Sequence, residues 1–272
     1  MSLGIAIKAP EGIVLAAESR VTLGAKTAAG EIPVFFDNAT KLWGLEAPNN
    51  HIGIVTYGMG AIDLRTAHSF QPEFEEALKA KDGGRLKVAE VAEQLSVFYK
   101  KQFTAAAPVP AGTPPMTFLV AGIDDGEAYG RIFQVDIPTR PTPVEHQGGS
   151  PPAFGITWGG QREFVDRIVQ GYDHRILEIL KQVGDLSDDD VRQFQKEFAP
   201  LGLTIPLQAM GLQDCVDVAL FFIRTTIAGL ELSVNLRGCG GHIDVATITR
   251  REGFHYVQRK AVVGETNRGA RR

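Results

Sequence analysis

A serine directly follows the first methionine, and its type and position allow covalent chemistry. Removal of Met1 would leave Ser2 with a side-chain hydroxyl and a free α-amine. An α-amine has a reference pKa of about 7.7–8.0, so part of it is neutral near pH 7. A neutral amine can take the proton from its own hydroxyl, directly or through water, and so activate it as a nucleophile. Because Met-Ser also begins many ordinary proteins, the pair alone does not establish a catalytic role.

A glycine-rich turn, Tyr57-Gly58-Met59-Gly60, lies between a predicted strand and a predicted helix. Dinucleotide-binding loops of the form GxGxxG occupy the same position in a fold. Here Asp63 stands where the third glycine of that pattern is required. The turn therefore predicts a tight connection between two elements and no nucleotide site.

The composition indicates a globular protein without a metal, cofactor or nucleic-acid partner. Of the 272 residues, 44% are hydrophobic and 22% are charged, and the net charge of −4 gives no reason to expect nucleic acid or an anionic membrane. Cys215 and Cys239 form no CxxC pair, and the six histidines have no metal-binding spacing. A reducing cytoplasm is the expected location, and no signal or membrane-spanning segment is expected at the start.

Apolar periodicity predicts several strands and several helices. Strands are predicted at 3–9, 13–17, 41–45, 52–57, 116–123, 131–137, 153–158, 243–249 and 254–259. One helix is predicted at 61–80, with Leu64, Ala67, Phe70 and Phe74 inside, and another at about 88–99. A third is predicted after Gly160, with one apolar face formed by Phe164, Ile168, Tyr172, Ile176 and Ile179. Two more are predicted, one from an N-cap at Ser187 to about Phe198 and one at 212–232. The proline-rich stretch 105–115 predicts an exposed loop.

The grouping of these elements predicts the fold class. Strands and helices occur in blocks, which favours an α+β domain over a doubly wound sheet. Two antiparallel sheets packed face to face, each covered by helices, would bury every apolar face and form a four-layer αββα sandwich. No composition break marks a boundary, so residues 1–260 are expected to form a single domain, followed by a basic tail at 261–272.

The segment from Ser2 to Gly24 resembles the start of proteasome β-type subunits, which belong to the N-terminal nucleophile hydrolases. That family begins with an N-terminal hydroxyl residue, a strand, a glycine turn, and a second strand that ends in an acidic residue and then arginine. On this pattern Ser2 falls on the catalytic N-terminal threonine and Glu18 on the catalytic acid. Lys41 resembles the catalytic lysine that begins a later strand. The resemblance extends in order to about residue 260.

The resemblance implies a role for each of these residues. The Ser2 hydroxyl would attack a peptide carbonyl, and the positive charge of Lys41 would assist the loss of its proton. Glu18 would hold Lys41 charged and in place. A backbone N–H near Gly58 or Met59 would stabilise the oxyanion.

Other positions would bind substrate or support the site. The turn from Tyr57 to Gly60 resembles the family's oxyanion and substrate-binding turn, and Tyr57 is expected to favour small side chains in the specificity pocket. Arg20 is expected to shape the turn after the catalytic acid. The chain departs from the family at several positions. Gly159 and Cys239 lie where serines are usual, and Leu236 lies where an aspartate is usual, although Asn235 or Arg237 could substitute if the loop shifts by one residue. Residues 181–211 form an insertion.

The implied function is that of a self-compartmentalising peptidase subunit without a cofactor. Its partners would be a peptide or unfolded protein substrate, other copies of the chain in a homo-oligomeric ring, and an ATP-dependent unfoldase. Two alternatives stay open. One is a catalytically inactive ring subunit of the same fold, and the other is an N-terminal nucleophile amidase that acts on a small molecule.

Overall fold

A computed structural model describes residues 2–28, 30–78, 84–149, 151, 153–234 and 236–264. The strands, in chain order, are β1 (Leu3–Ala9), β2 (Gly12–Glu18), β3 (Val21–Thr27), β4 (Gly30–Phe36), β5 (Leu42–Gly44), β6 (Ile52–Gly58), β7 (Ala61–Ile62), β8 (Arg65–Thr66), β9 (Met116–Gly122), β10 (Arg131–Ile137), β11 (Arg140–His146), β12 (Gly155–Gly160), β13 (Ile243–Thr249) and β14 (Gly253–Gln258). The α-helices are α1 (Gln71–Ala77), α2 (Val88–Ala105), α3 (Glu163–Val169), α4 (Arg175–Gly184), α5 (Asp188–Phe198) and α6 (Leu212–Glu231).

Two five-stranded antiparallel sheets form the centre of the fold. One has the strand order β12-β1-β2-β13-β14 and the other β11-β10-β9-β6-β5. Helices α3 and α6 pack on the outer face of the first sheet, and α1 and α2 on the outer face of the second. A third apolar cluster, which includes Leu15, Val55 and Leu119, fills the space between the sheets. The predicted four-layer αββα architecture is therefore confirmed.

The register of the strands brings the chemically interesting residues to one end of the sandwich. Ser2 directly precedes β1, whose first residue, Leu3, pairs with Gly160 at the end of β12. The neighbouring strand β2 runs antiparallel to β1 and ends at Glu18. Lys41 directly precedes β5 in the facing sheet. All three polar side chains thus meet where the two sheets face each other.

Two of the predicted helices are broken. The segment predicted as a helix over 61–80 begins with the short pair β7 and β8 and becomes α-helical only at Gln71. Leu64, predicted to be buried, lies between these two strands and is fully exposed, whereas Phe70 and Phe74 are buried as predicted. The long helix predicted after Gly160 is interrupted by the segment 170–174, which separates α3 from α4.

Besides β7 and β8, three further strands were not predicted. Strands β3 and β4 form a two-stranded hairpin outside both large sheets, and β11 is an edge strand that contains Pro141 and Pro143. Several sequence predictions, namely those for Met1, Asn235 and most of the basic tail, concern positions outside the described residues. Among the residues that are described, no helix combines the length and apolar character needed to cross a membrane.

Candidate active site

Lys41 lies at the centre of a buried polar cluster. Its Nζ atom is 2.7 Å from Ser2 Oγ and 2.5 Å from Glu18 Oε1, and it also donates to the carbonyl oxygen of Arg20. The ammonium group has three hydrogens, and these three acceptors use all of them. Lys41 is therefore placed as a fixed positive charge beside the Ser2 hydroxyl. Residues Ser2 and Lys41 are each 5% exposed.

Glu18 connects this cluster to three segments of backbone. Oε1 accepts from Lys41 Nζ and, at 3.4 Å, from the N–H of Leu3. Oε2 accepts from the N–H of Arg20 at 2.7 Å and from that of Gly240 at 3.1 Å. Burying a carboxylate is tolerated when it is paired and hydrogen-bonded in this way. Because Leu3 adjoins Ser2, the carboxylate fixes the position of Ser2 as well as that of Lys41.

The backbone of Ser2 is held by the end of strand β12. The Ser2 carbonyl accepts a hydrogen bond of 2.7 Å from the N–H of Gln161. A Cβ atom on Gly160 would lie 1.7 Å from the same carbonyl oxygen, and Gly160 has a φ of +91°. Only glycine fits this close approach. The sequence indicated a glycine pair at 159–160 but not this contact with Ser2.

The turn after β6 offers one backbone donor toward the cluster. The Met59 N–H donates to the carbonyl of Pro115 at 3.0 Å, so it is not available to an oxyanion. Donors alternate between the two edges of an antiparallel strand, so the Gly58 N–H points to the other edge, beyond the start of β5. A shallow recess lies there, lined by Ser2, Thr40, Lys41, Thr56, Tyr57, Gly58, Met59 and Gly60 among others. Of the two predicted oxyanion donors, the geometry therefore favours Gly58.

Tyr57 explains why residue 159 is a glycine here. A Cβ atom on Gly159 would lie 2.4 Å from both Cζ and the hydroxyl oxygen of Tyr57. The ring thus occupies the space that a serine side chain at position 159 would need. Burial raises the pKa of the Tyr57 hydroxyl, which therefore stays protonated near neutral pH. The resemblance implies a serine at position 159, and here the edge of the Tyr57 ring occupies the space of that side chain.

The remaining predicted site residues shape the surroundings. The Arg20 side chain forms a bidentate pair with Asp37, with N···O distances of 2.6 and 2.8 Å, at the base of the β3–β4 hairpin. Cys239 is buried, and burial raises the pKa of its thiol, so it is no competing nucleophile. Leu236 is partly exposed, and the Arg237 side chain donates to the carbonyl of Glu231. Neither of these two residues supplies a polar group at Ser2.

Comparison with known proteins relates this geometry to a fold. An Anbu protein (a Gly-1 mutant) from Hyphomicrobium sp. strain MC1 matches over 99% of this chain and 91% of its own, with a TM-score of 0.56 and 15% sequence identity. The chain has a proteasome-like fold. No protein-family model matches the sequence, and no curated protein matches it either. At 15% identity the similarity concerns the fold alone.

Proposed function

We propose that this proteasome-like chain is a peptidase subunit whose nucleophile is Ser2, once the residues before Ser2 have been removed. The observation that carries the proposal is the position of Lys41 Nζ, between the Ser2 hydroxyl and the Glu18 carboxylate in a buried site. A serine, a lysine and a glutamate from three different segments converge there. A surface lysine or a strand-end glutamate without function would not need this arrangement.

The proposed reaction uses the α-amine of Ser2 as general base. The amine takes the hydroxyl proton while Oγ bonds to the carbonyl carbon of the substrate, and the Gly58 N–H binds the resulting oxyanion. The C–N bond then breaks, the proton passes to the leaving amine, and an ester on Ser2 remains. Water hydrolyses this ester with the same amine as base. Throughout, Lys41 acts by its charge, since its three hydrogens are already donated.

Hydrolysis of fluorogenic peptides by protein that begins at Ser2 tests the proposal. We expect cleavage after small side chains, because Tyr57 lines the recess, and a loss of at least about a thousandfold in Ser2→Ala. Ser96→Ala is a matched control, since Ser96 is 6% exposed and lies on α2. It should retain activity. Protein with an uncleaved extension before Ser2 should be inactive, because its amine is blocked.

The two alternatives give different results in the same assays. An inactive ring subunit would assemble but would cleave neither peptides nor small amides, and Ser2→Ala would change nothing. A small-molecule amidase would hydrolyse small amides in a Ser2-dependent way and leave peptides intact. Preferred cleavage after large aromatic residues would contradict the expected role of Tyr57.

The proposal includes assembly of several copies into a ring that encloses the sites, supplied with unfolded protein by an ATP-dependent unfoldase. The β3–β4 hairpin supports assembly. The hairpin belongs to neither large sheet. Its apolar side chains Leu23, Ile32 and Phe36 are each about half exposed. An isolated two-stranded hairpin is marginally stable in water, and clustered exposed apolar side chains mark interaction surfaces. A second copy of the chain is the occupant that a ring requires.

Native mass spectrometry tests this part of the proposal. We expect a multiple of the 29.5 kDa subunit mass, and dissociation into smaller species in Phe36→Asp. The control is Val97→Asp, because Val97 is also exposed but lies on α2. A monomeric wild-type protein, or equal assembly in both variants, would contradict it.

A further inference from the structure

A cavity with polar and apolar lining residues borders Tyr57, apart from the recess that contains Ser2. Its volume is about 440 Å³, which is within the range of ligand-binding pockets. Strands β9 to β11 form one wall, and β12 forms the other together with Arg162 and Gln170, which flank α3. Tyr57 lines both the cavity and the recess. The cavity thus lies near the candidate active site without including Ser2, Glu18 or Lys41.

The cavity interrupts the apolar layer between the two sheets. Elsewhere this layer consists of side chains such as Leu15, Val55 and Leu119. At the cavity the side chains of Gln134, Asp136 and other polar residues replace them. Polar groups between two packed sheets are unfavourable unless they are hydrogen-bonded, so the hydrogen-bond partners of each group decide what the cavity can still bind.

The carboxylate in the cavity is already fully occupied by donors. Asp136 Oδ1 accepts from Thr117 Oγ1 and from Gln134 Nε2, both at 2.9 Å. Asp136 Oδ2 accepts from Arg140 Nη2 at 2.7 Å and from Arg140 Nε at 3.1 Å. Asp136 is also the single carboxylate among the described residues that line the cavity. A cationic ligand would therefore find no free acceptor of negative charge.

Several donors, in contrast, remain unused. Arg140 donates hydrogen bonds to Asp136 only through Nε and Nη2. Arg162 donates to Asp166 only through Nε. The other guanidinium nitrogens of both arginines have no acceptor within the described part of the chain. The Tyr57 hydroxyl likewise makes no hydrogen bond there. Arg140, Arg162 and Tyr57 all line the cavity. The positive charges of both arginines lower the pKa of Tyr57, against the larger effect of burial, so they lie near its hydroxyl.

More of the residues that line the cavity are positively charged than negatively charged. Arg140 and Arg162 contribute two positive charges and Asp136 one negative charge, while burial lowers the pKa of His146 and keeps its imidazole neutral near pH 7. The lining residues thus carry one net positive charge, and Asp166, which pairs with Arg162 from outside the lining, offsets it. The free N–H groups of the two arginines, and not a net charge, therefore favour an anion. Guanidinium groups bind carboxylates in a planar, often bidentate geometry.

We propose that this cavity binds a ligand through a carboxylate, held by Arg140, Arg162 and the Tyr57 hydroxyl. The carboxylate can belong to an acidic side chain or to the C-terminus of a peptide, and both present the same planar anion. The site does not depend on the proposed hydrolysis, because none of its groups participates in the attack by Ser2. Occupancy would restrict the Tyr57 ring, which also borders the recess.

Titration of the whole protein with three related probes tests the proposal. N-acetyl-isoglutamine carries only the side-chain carboxylate, N-acetyl-glutamine carries only the terminal carboxylate, and N-acetyl-glutamine amide carries neither. Binding is followed by isothermal titration calorimetry. We expect saturable binding of at least one acid, at least about tenfold tighter than binding of the neutral amide. The acid that binds more tightly identifies the source of the carboxylate.

Substitutions then locate the bound acid. Arg140→Gln and Arg162→Gln should each weaken its binding by about tenfold or more. Arg85→Gln is the matched control, because Arg85 is also carboxylate-paired and 37% exposed but lies elsewhere. Binding should be unchanged in Arg85→Gln and in Ser2→Ala. Persistence in Ser2→Ala separates this proposal from that of the peptidase.

Three results would overturn the proposal. They are equal binding of the neutral amide, no saturable binding of either acid up to about 10 mM, and unchanged binding in both cavity arginine variants. If either arginine variant fails to fold, Tyr57→Phe removes only the hydroxyl and should still weaken binding of the acid. The comparison of acids with the amide needs no variant at all, so the proposal stays testable on the wild-type protein.

Discussion

Two carboxylate–cation pairs lie between the same two sheets, and their surroundings differ. In the Glu18–Lys41 pair the side chains are 0% and 6% exposed, whereas in the Asp136–Arg140 pair they are 10% and 53% exposed. Lys41 also donates a hydrogen bond to the Ser2 hydroxyl. Arg140 lines a cavity and has guanidinium N–H groups that donate to no described residue. An ion pair alone therefore does not mark a catalytic site. Complete burial next to a hydroxyl favours catalysis, and a half-exposed cation beside a cavity favours ligand binding.

The largest expected difference between the pairs concerns stability. Lys41→Met leaves the Glu18 carboxylate buried without its cation, which should lower the free energy of unfolding by about 3–5 kcal/mol. In Arg140→Met the Asp136 carboxylate keeps the donors Thr117 and Gln134, so the loss should be about 1 kcal/mol or less. Urea denaturation of both variants measures the difference. Equal losses would contradict the distinction between the two pairs.

The next effect concerns catalysis. Glu18→Gln keeps the shape of the side chain but removes the charge that holds Lys41, so peptide hydrolysis should fall by at least about a hundredfold. Glu145→Gln removes a carboxylate on β11 that pairs with Arg131 and not with Lys41, and it should retain activity. The rates of the two variants, measured at equal protein concentration, decide the question. Full activity in Glu18→Gln would exclude the proposed role of this carboxylate.

A smaller effect is expected where the two regions meet, at Tyr57. Gly159→Ser introduces a Cβ atom 2.4 Å from the Tyr57 ring and should destabilise the protein by about 1–3 kcal/mol. Combined with Tyr57→Ala, the same substitution should have a much smaller effect, because the clash is gone. A double-mutant cycle of unfolding free energies measures this coupling. Additive effects would show that the ring does not determine the identity of residue 159.

The smallest expected effect is the pH dependence of the hairpin base. The hydrogen bond from Arg20 lowers the pKa of Asp37 below its ordinary value. A carboxyl group with a lowered folded-state pKa stabilises the fold above its unfolded pKa, and this contribution is lost as the pH falls through the folded value. Asp37→Asn should therefore be slightly less stable than wild type near pH 7 and should lose less stability in acid. Parallel acid-unfolding curves for both proteins would contradict this.

Much of the layered fold could be predicted from local patterns, and the rest depended on long-range packing. The turn Pro10-Glu11-Gly12 and the apolar runs on either side predicted β1 and β2, and helical spacing predicted α2. Strands β3 and β4 were missed because Gly24 and Pro33 interrupt the strand pattern and the apolar face is not covered by this chain. Strand β11 was missed because its prolines are tolerated only at a sheet edge.

The candidate site could be predicted only through a family resemblance. Glu18 ends an apolar strand beside Arg20, and by itself this pattern is typical of a surface charge. Its partner Lys41 follows 23 residues later, so no local spacing connects the two. The cavity was not predicted, because Arg140 begins β11 in one sheet and Arg162 directly precedes α3, beyond the end of β12 in the other sheet.

The state of the N-terminus tests the central claim most directly. The intact mass of the purified protein is measured before and after incubation with a peptide β-lactone, whose ring opens when its carbonyl carbon bonds to an attacking oxygen. We expect a chain that begins at Ser2 with a free amine, and a single adduct that maps to Ser2 and is absent in Ser2→Ala. A blocked amine, or a free Ser2 that forms no adduct, would contradict the nucleophile proposal and favour an inactive ring subunit.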